Sequence, residues 1–371
     1  MRNLPPSAHQ ADAKKRDPAK LRLLIISRAA KRRRYRTGDA AETLGGYDMK
    51  FWKSAVVAAV ASLTFGGVAN AQNLRLLASW DSSYAAVSDV LMPFVQKLEN
   101  DTTAGVKIQI MGPETVPPFE QLDPVARGLF DMLFTNGAYH FNDTAMGMSL
   151  DAMSGTAGDL RDGGVFEAVD KGYQEIGLKL VAVLFDLNGY HIMLKEPVGD
   201  NGLEGRRVRG TPIYHPAIEA LGGSPVVLPG GEIYPALERG VVDGAAWPTV
   251  GAVAYKWYEV ADYMMRPTFG QVSHMVLMNL DTWNGLDDAT REEIQQIAVS
   301  FESEANTIFD GLAEKERTAL EAEGMEETAL SEELAAKLQT AWFEGALDLA
   351  ATKNPDEIAN IRKLAAEAGV D

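Results

Sequence analysis

Arg209 and Trp247 are the two residues whose type and position most directly suggest chemistry. Both lie in one stretch, LEGRRVRGTPIYHPAIEALGGSPVVLPGGEIYPALERGVVDGAAWP, from Leu203 to Pro248. Arg209 closes an apolar, β-compatible run around Val208, between glycine-rich turns. An arginine held there can offer a planar fork of donors to a carboxylate, a geometry that lysine cannot supply. Trp80, Tyr139 and Trp247 are aromatics at strand ends, placed to wall a small cavity, and Asn136 is a candidate polar pin beside them. Nothing points to covalent chemistry. The sequence has no Walker loop, dinucleotide fingerprint, HExxH or GxSxG, and its five histidines, at 9, 140, 191, 215 and 274, stand singly. Cysteine is absent, which removes thiolate nucleophiles, thiolate metal sites and disulfides.

The elements that must position these side chains follow from the pattern. The run around Val208 reads as a strand, Pro216 to Leu221 as a short helix closed by Gly222-Gly223, and Val226 to Leu228 as a strand. Glu232 to Arg239 is a second helix stopped by Gly240, and Val241-Val242 leads into Asp243-Gly244 and Trp247-Pro248. Strand and helix alternating within fifty residues predict a small α/β lobe with a parallel sheet. Ligands of such sheets sit at the carboxyl ends of the strands, where Arg209 and Trp247 fall.

Upstream, Leu74 to Ser79 alternates as a strand and places Trp80 at its end. Val106 to Met111 and Asp131 to Thr135 are further strands, the last ending at Asn136-Gly137-Ala138-Tyr139. Leu180 to Phe185 is strand-like, and Tyr190 to Leu194 reads as the crossing into the second lobe. Ser273 to Leu280 is a strand of alternating character. From Asp288 to Glu323, apolar residues recur at steps of three and four, and Gly324 ends the pattern. A helix of that length is about 54 Å long, longer than a small domain is wide, so it must cross both lobes or leave the body. Ser331 and Asn354-Pro355 are N-cap signals for two more helices.

At Arg209, Gly222-Gly223, EIYPALERG (Glu232 to Gly240) and VDGAAW (Val242 to Trp247), the chain resembles the solute-binding proteins of TRAP transporters, the DctP-like family. The block GPETVPPFEQLDPVARGLFDM, Gly112 to Met132, resembles the same branch, that of the 2-oxo-acid binders. The resemblance implies an α/β, two-lobed periplasmic binding protein of type II, its lobes joined by hinge strands and a long spanning helix. It implies lobe I over 72–193 with part of 275–330, and lobe II over 194–274 with the spanning helix 288–323 and C-terminal helices 331–371. It also implies that Ser273 to Leu280 is a return path between lobes, that Arg209 clamps the carboxylate by bidentate recognition, and that Asn188 and Gln271 are polar pins for the ligand. One departure stands out: the branch has Glu-Trp where this chain has Ala246-Trp247. That glutamate helps hold a cation bridging protein and ligand, so the expectation here is no cofactor and no metal, with a sodium or calcium ion accompanying the ligand as the alternative.

Charge divides the chain. Residues 1–48 carry 12 Lys and Arg against 5 Asp and Glu, whereas from Gln72 onward the balance is 21 against 47. So acidic a body repels nucleic acid and anionic membranes, and neither is an expected partner. Residues 49–71, MKFWKSAVVAAVASLTFGGVANA, have the charged start, apolar middle and Ala-Asn-Ala end of a secretory signal cut after Ala71. Because such a signal should open the chain, residues 1–48 are expected to be a mis-called or non-native extension; a nucleic-acid-binding arm around Lys31-Arg32-Arg33-Arg34 is the other reading. The expectation is therefore a periplasmic protein, monomeric or homodimeric, that captures a small organic acid by hinge closure and hands it to TRAP permease subunits. The acid would be a 2-oxo acid or a bulkier monocarboxylate. The rival expectations are an extracytoplasmic enzyme acting on a carboxylic acid, with Asp243 and His215 near one cleft, and a binder that feeds a receptor instead of a transporter.

Overall fold

The computed structural model describes residues 72–371, so the expected signal segment 49–71 and the basic tract 1–48 lie outside the described residues. The strands are β1 (Asn73–Ala78), β2 (Lys107–Met111), β3 (Met132–Thr135), β4 (Leu178–Asp186), β5 (Tyr190–Leu194), β6 (Arg207–Arg209), β7 (Ser224–Val226), β8 (Gly244–Pro248), β9 (Tyr263–Arg266), β10 (Val272–Asn279) and β11 (Glu326–Ala329). They form two sheets, ordered β2-β1-β3-β10-β4 and β11-β9-β5-β8-β6-β7. In the first, β1 is parallel to β2 and β3, while β10 enters antiparallel between β3 and β4. In the second, β6 is parallel to both β7 and β8, the small parallel unit expected around Arg209. Its last strand is Ser224–Val226, earlier than the expected Val226 to Leu228, because the backbone after Val226 turns away toward Pro229.

The chain passes between the sheets at Leu187–Gly189 and again near Thr268–Gln271, where Tyr190 and Phe269 exchange backbone hydrogen bonds of 2.9 and 3.1 Å. This moves the expected lobe boundary. Tyr190–Met193, placed in lobe I by a break after residue 193, form with Leu194 a strand of the second sheet, and Val272–Asn279 belongs wholly to the first. The reason lies in pairing: β5 finds its partners in β8 and β9, and β10 in β3 and β4.

Helices cover the sheet faces: α1 (Met92–Asp101), α2 (Leu122–Ala126), α3 (Ala157–Asp162), α4 (Val165–Glu175), α5 (His215–Ala220), α6 (Ile233–Glu238), α7 (Leu280–Gly285), α8 (Asp288–Ala322), α9 (Glu332–Ala351) and α10 (Pro355–Ala368). β4 is buried along almost its whole length, with Leu180, Val183 and Phe185 in one apolar cluster and Val181, Ala182 and Leu184 in the other. That explains its near-continuous apolar sequence, since both of its faces are covered.

α8 is one continuous helix of 35 residues, about 52 Å long. Asp287 caps it by accepting from the Thr290 amide at 2.9 Å. It buries Ile294, Ile297, Phe301, Ala305 and Phe309 along one stripe. Two glutamates tie it to different sheets. Glu302 accepts a two-pronged contact from Arg161 on α3, at 2.9 and 2.7 Å, and a third bond from the Val183 amide on β4 at 3.0 Å. Fourteen residues on, Glu316 accepts from the amides of Gly251 and Val253, at 3.0 and 2.7 Å, just past β8. α9 and α10, both expected with lobe II, divide their packing. α9 lies on α5 and on the turn Gly147–Ala152, whereas α10 packs on α3 and α4 of the first lobe. Asn354 does not cap α10 with its side chain; its Oδ1 accepts from the Ala145 amide at 2.9 Å, joining the helix start to that lobe.

Candidate ligand-binding site

Arg209 ends β6 and is buried, 1% exposed. Its Nε donates to the carbonyl of Leu228 at 2.8 Å and its Nη1 to the carbonyl of Ala246 at 3.0 Å. Nη2 is buried and has no hydrogen-bond partner among the described residues. The neighbouring arginines behave differently: Arg206 holds the carbonyls of Glu196 and Pro197, and Arg207 pairs with Asp243 and the Gly240 carbonyl, both at the surface. A buried guanidinium oriented by two carbonyls, with its last nitrogen free, is poised for a charge-assisted hydrogen bond.

Arg209 belongs to the lining of a small, partly open cavity between the two sheets. The first lobe contributes Trp80, Tyr84, Asn136 and Tyr139, and the second contributes Arg209, Thr211, Tyr214 and Trp247. Five of the seven residues expected to form the site therefore meet: Arg209, Trp247, Trp80, Asn136 and Tyr139. Trp80 Nε1 donates to the Tyr139 hydroxyl at 2.9 Å, fixing both rings. The Arg209 guanidinium lies 5.2 Å from the centre of the Trp247 ring, within reach of a cation–π attraction. Tyr84 meets Trp247 edge-on at 5.6 Å, so aromatic side chains of the two lobes touch across the cleft.

Two glycines make room for Trp247. A Cβ at Gly230 would come within 2.7 Å of its ring, and one at Gly251, where φ is +120°, within 2.9 Å of its indole nitrogen and 3.0 Å of Tyr84.

Asn188 and Gln271 fall elsewhere. Asn188 donates to Asp186 at 2.9 Å and to Asp310 at 3.2 Å, on a groove beside α8. Gln271 is buried and donates to the Leu150 carbonyl at 3.3 Å. Its neighbours Val272 and His274 line the cavity instead. Adjacent strand positions face opposite ways, so being one residue out in a weak pattern is enough to turn a wall into a back face. Asn136 is present but fully engaged: its Oδ1 accepts from the Ala138 amide at 2.9 Å and its Nδ2 donates to Asp151 at 2.8 Å. It shapes the wall and has no free polar atom to offer.

The polar residues behind the wall form a second layer. Asp151 is fully buried and accepts from Asn136, from the Ser273 amide at 2.6 Å and from the Tyr190 hydroxyl at 3.1 Å. Burial raises its pKa to about 7, against the pull of those donors. His274 is held neutral, its pKa lowered to about 3 by burial. Its Nδ1 lies 3.2 Å from the Leu184 carbonyl and so carries the proton, which leaves Nε2 to accept from the Tyr84 hydroxyl at 3.0 Å. Burial raises the Tyr139 pKa, with the Arg209 charge pulling the other way.

Tyr84, Tyr190, Thr211, Tyr214 and His274 were not among the expected site residues. Tyr84 and Tyr214 had a signal, lying four and five residues after Trp80 and Arg209 in the turns that leave those strands. Asp243 and His215 form no catalytic pair. Asp243 accepts from the Arg207 amide at 2.8 Å at the start of β6, while His215 opens α5 beyond its end.

Residues 154–346, more than half of the chain, match the family described as bacterial extracellular solute-binding protein, family 7. The C4-dicarboxylate-binding periplasmic protein DctP of Rhodobacter capsulatus is 30% identical over 162 residues, 42% of this chain and 47% of that protein. A monocarboxylate 2-oxoacid-binding periplasmic protein of Nostoc sp. is 28% identical over 253 residues, 62% of this chain and 66% of that one. The chain thus matches between about half and just under two thirds of the length of these two relatives. Among solved structures, a TRAP periplasmic solute-binding protein from Desulfovibrio salexigens, with bound orotic acid, superposes with a TM-score of 0.72 at 19% identity, covering 80% of this chain and 98% of the other. That likeness shows the two-lobed α/β binding-protein fold. By the match over residues 154–346, this chain belongs to the bacterial extracellular solute-binding proteins of family 7.

Proposed function

We propose that this protein captures a small organic acid in the periplasm and delivers it to the membrane subunits of a TRAP transporter. The observation that carries the reading is Arg209, a buried cation in the lining of a cavity between two lobes, whose Nη2 has no hydrogen-bond partner among the described residues. Two carbonyls hold the guanidinium, so a ligand carboxylate meets a donor already oriented for it. Trp80, Tyr84 and Tyr139 come from one lobe and Arg209, Tyr214 and Trp247 from the other. A ligand touching both sets favours the closed state by its differential affinity for it.

No covalent step is assigned. Capture and release need only the hinge, and the dispersal of Asp243 and His215 supports binding over catalysis. No resident cofactor is assigned either. The partners are the small carboxylate and the permease, and the protein acts as a monomer or a homodimer, which light scattering distinguishes.

The test is titration calorimetry of the parent and of Arg209→Lys. A single ammonium cannot hold both carbonyls and a carboxylate, so the dissociation constant is expected to rise roughly ten- to a hundredfold, the equivalent of about 1.5–3 kcal/mol. Unchanged affinity would remove Arg209 from the site and the reading with it.

A further inference from the structure

We propose that the cavity selects a flat, aromatic monocarboxylate and binds it without a bridging cation; this rests on the reading of Arg209 as the carboxylate's partner. The argument concerns which polar groups remain available. Among the described residues Arg209 is the one charged residue of the lining, with no Asp, Glu or Lys beside it. The other polar groups are mostly engaged with protein. The Tyr84 hydroxyl is paired with His274, the Tyr190 hydroxyl donates to Asp151, and the Tyr139 hydroxyl accepts from Trp80. The unpartnered charge therefore sits at one point, on the segment that also carries Thr211 and Tyr214, and aromatic rings make up most of the remaining wall.

Such a wall discriminates by desolvation. The second carboxylate of a diacid would be buried against tyrosine and tryptophan with no cation to meet it, at a cost of several kcal/mol. The hydroxyls of a sugar acid would lose water to ring faces that cannot replace it. An aromatic ring loses nothing there and gains edge or offset-stacked contacts.

The same inventory argues against a bridging cation. Sodium and calcium need several oxygen ligands, carboxylates foremost. Ala246 brings no side-chain oxygen, and its carbonyl already accepts from Arg209 Nη1 at 3.0 Å.

The experiment is calorimetry of protein unfolded and refolded to strip any carried ligand, with a fixed panel of probes. Benzoate and phenylacetate represent the aromatic monocarboxylates. Pyruvate, succinate and glucuronate represent the alternatives, and benzamide is the uncharged isostere of benzoate. Each is titrated with chelator in sodium-free buffer and again with added calcium and sodium. The expected result is that an aromatic acid binds at least tenfold tighter than pyruvate, succinate or glucuronate, with equal affinity in both buffers, while benzamide fails to bind. If pyruvate, succinate or glucuronate wins, or if binding needs a cation, the selectivity inference falls. In that case Arg209→Met, or Arg209→Lys should the first fail to fold, shows whether the carboxylate reading survives. Binding of any probe unaltered by those variants, or no binding by any acid, overturns both.

Discussion

Arg209 Nη1 donates to the carbonyl oxygen of Ala246 at 3.0 Å, across the parallel pair β6 and β8. The backbone of the residue that replaces the branch's glutamate is thus bonded to the arginine that faces the ligand. Leu228 supplies the second carbonyl from beyond β7. The guanidinium plane is consequently set by main chain from two neighbouring segments.

Gly251 tests how tightly Trp247 and Tyr84 close the cleft. Gly251→Ala would force a Cβ to within about 3 Å of both rings at a φ that L-residues rarely adopt. The strain should be of order 1–3 kcal/mol. A drop in Tm of at least about 2 °C and weaker ligand binding are expected, read by thermal unfolding and calorimetry. A variant indistinguishable from the parent in both would mean that Trp247 and Tyr84 are not held against each other in solution.

Glu302 tests the anchoring of α8. Glu302→Ala leaves Arg161, itself largely buried, and the Val183 amide without their shared acceptor, which should cost about 3–5 kcal/mol in urea unfolding. Phe301→Pro removes a helix donor and clashes with the preceding turn, at about 3 kcal/mol or more. If either variant melts like the parent, α8 is not the continuous support described.

The pH dependence of stability follows from buried groups with opposite shifts. Burial raises Asp151 and Asp186 to about 7 and lowers His140, His191 and His274 to about 3. The raised carboxyls contribute stability that is fully present below about pH 3.8 and lost as pH rises through about 7. The lowered histidines contribute stability present above about 6.5 and lost as pH falls toward 3. Between these limits, counting these five groups alone, the folded state holds more protons on the two carboxyls and fewer on the three histidines than the unfolded state. On balance these five groups make stability rise with pH across this range, and Asp151→Asn, which removes one opposing contribution, should steepen the rise. Urea unfolding across this range reads it directly; a variant with the parent's slope would show that Asp151 titrates as an ordinary carboxylate.

Much of this architecture was legible because its signals are local. The alternation of β1, the stripe along α8 and the Ser331 cap each lie within a few residues. Arg209 was legible for the same reason, as a strand-ending arginine between glycines. β9 and β11 were not foreseen. They are four residues each and pair with one another across some sixty residues of chain, a relationship no local pattern carries. The lobe boundary shifted for a similar reason, since whether β5 belongs to one sheet or the other is decided by β8 and β9. Asn188 and Gln271 were placed by weak motifs at the crossings between lobes, and there the backbone geometry decides which residue turns toward the cavity. Asn136 was located correctly, but its role depends on Asp151, whose buried carboxylate claims its amide.

The central claim, capture of a small acid without chemistry, is tested most directly by native mass spectrometry of the mature protein purified from its own host and then incubated with the acid it carries. The expected spectrum shows one small acid per chain, released unchanged on denaturation, with the complex lost in Arg209→Lys. Turnover of the added acid to a product of different mass, or a carried molecule with no acidic group, would contradict the account.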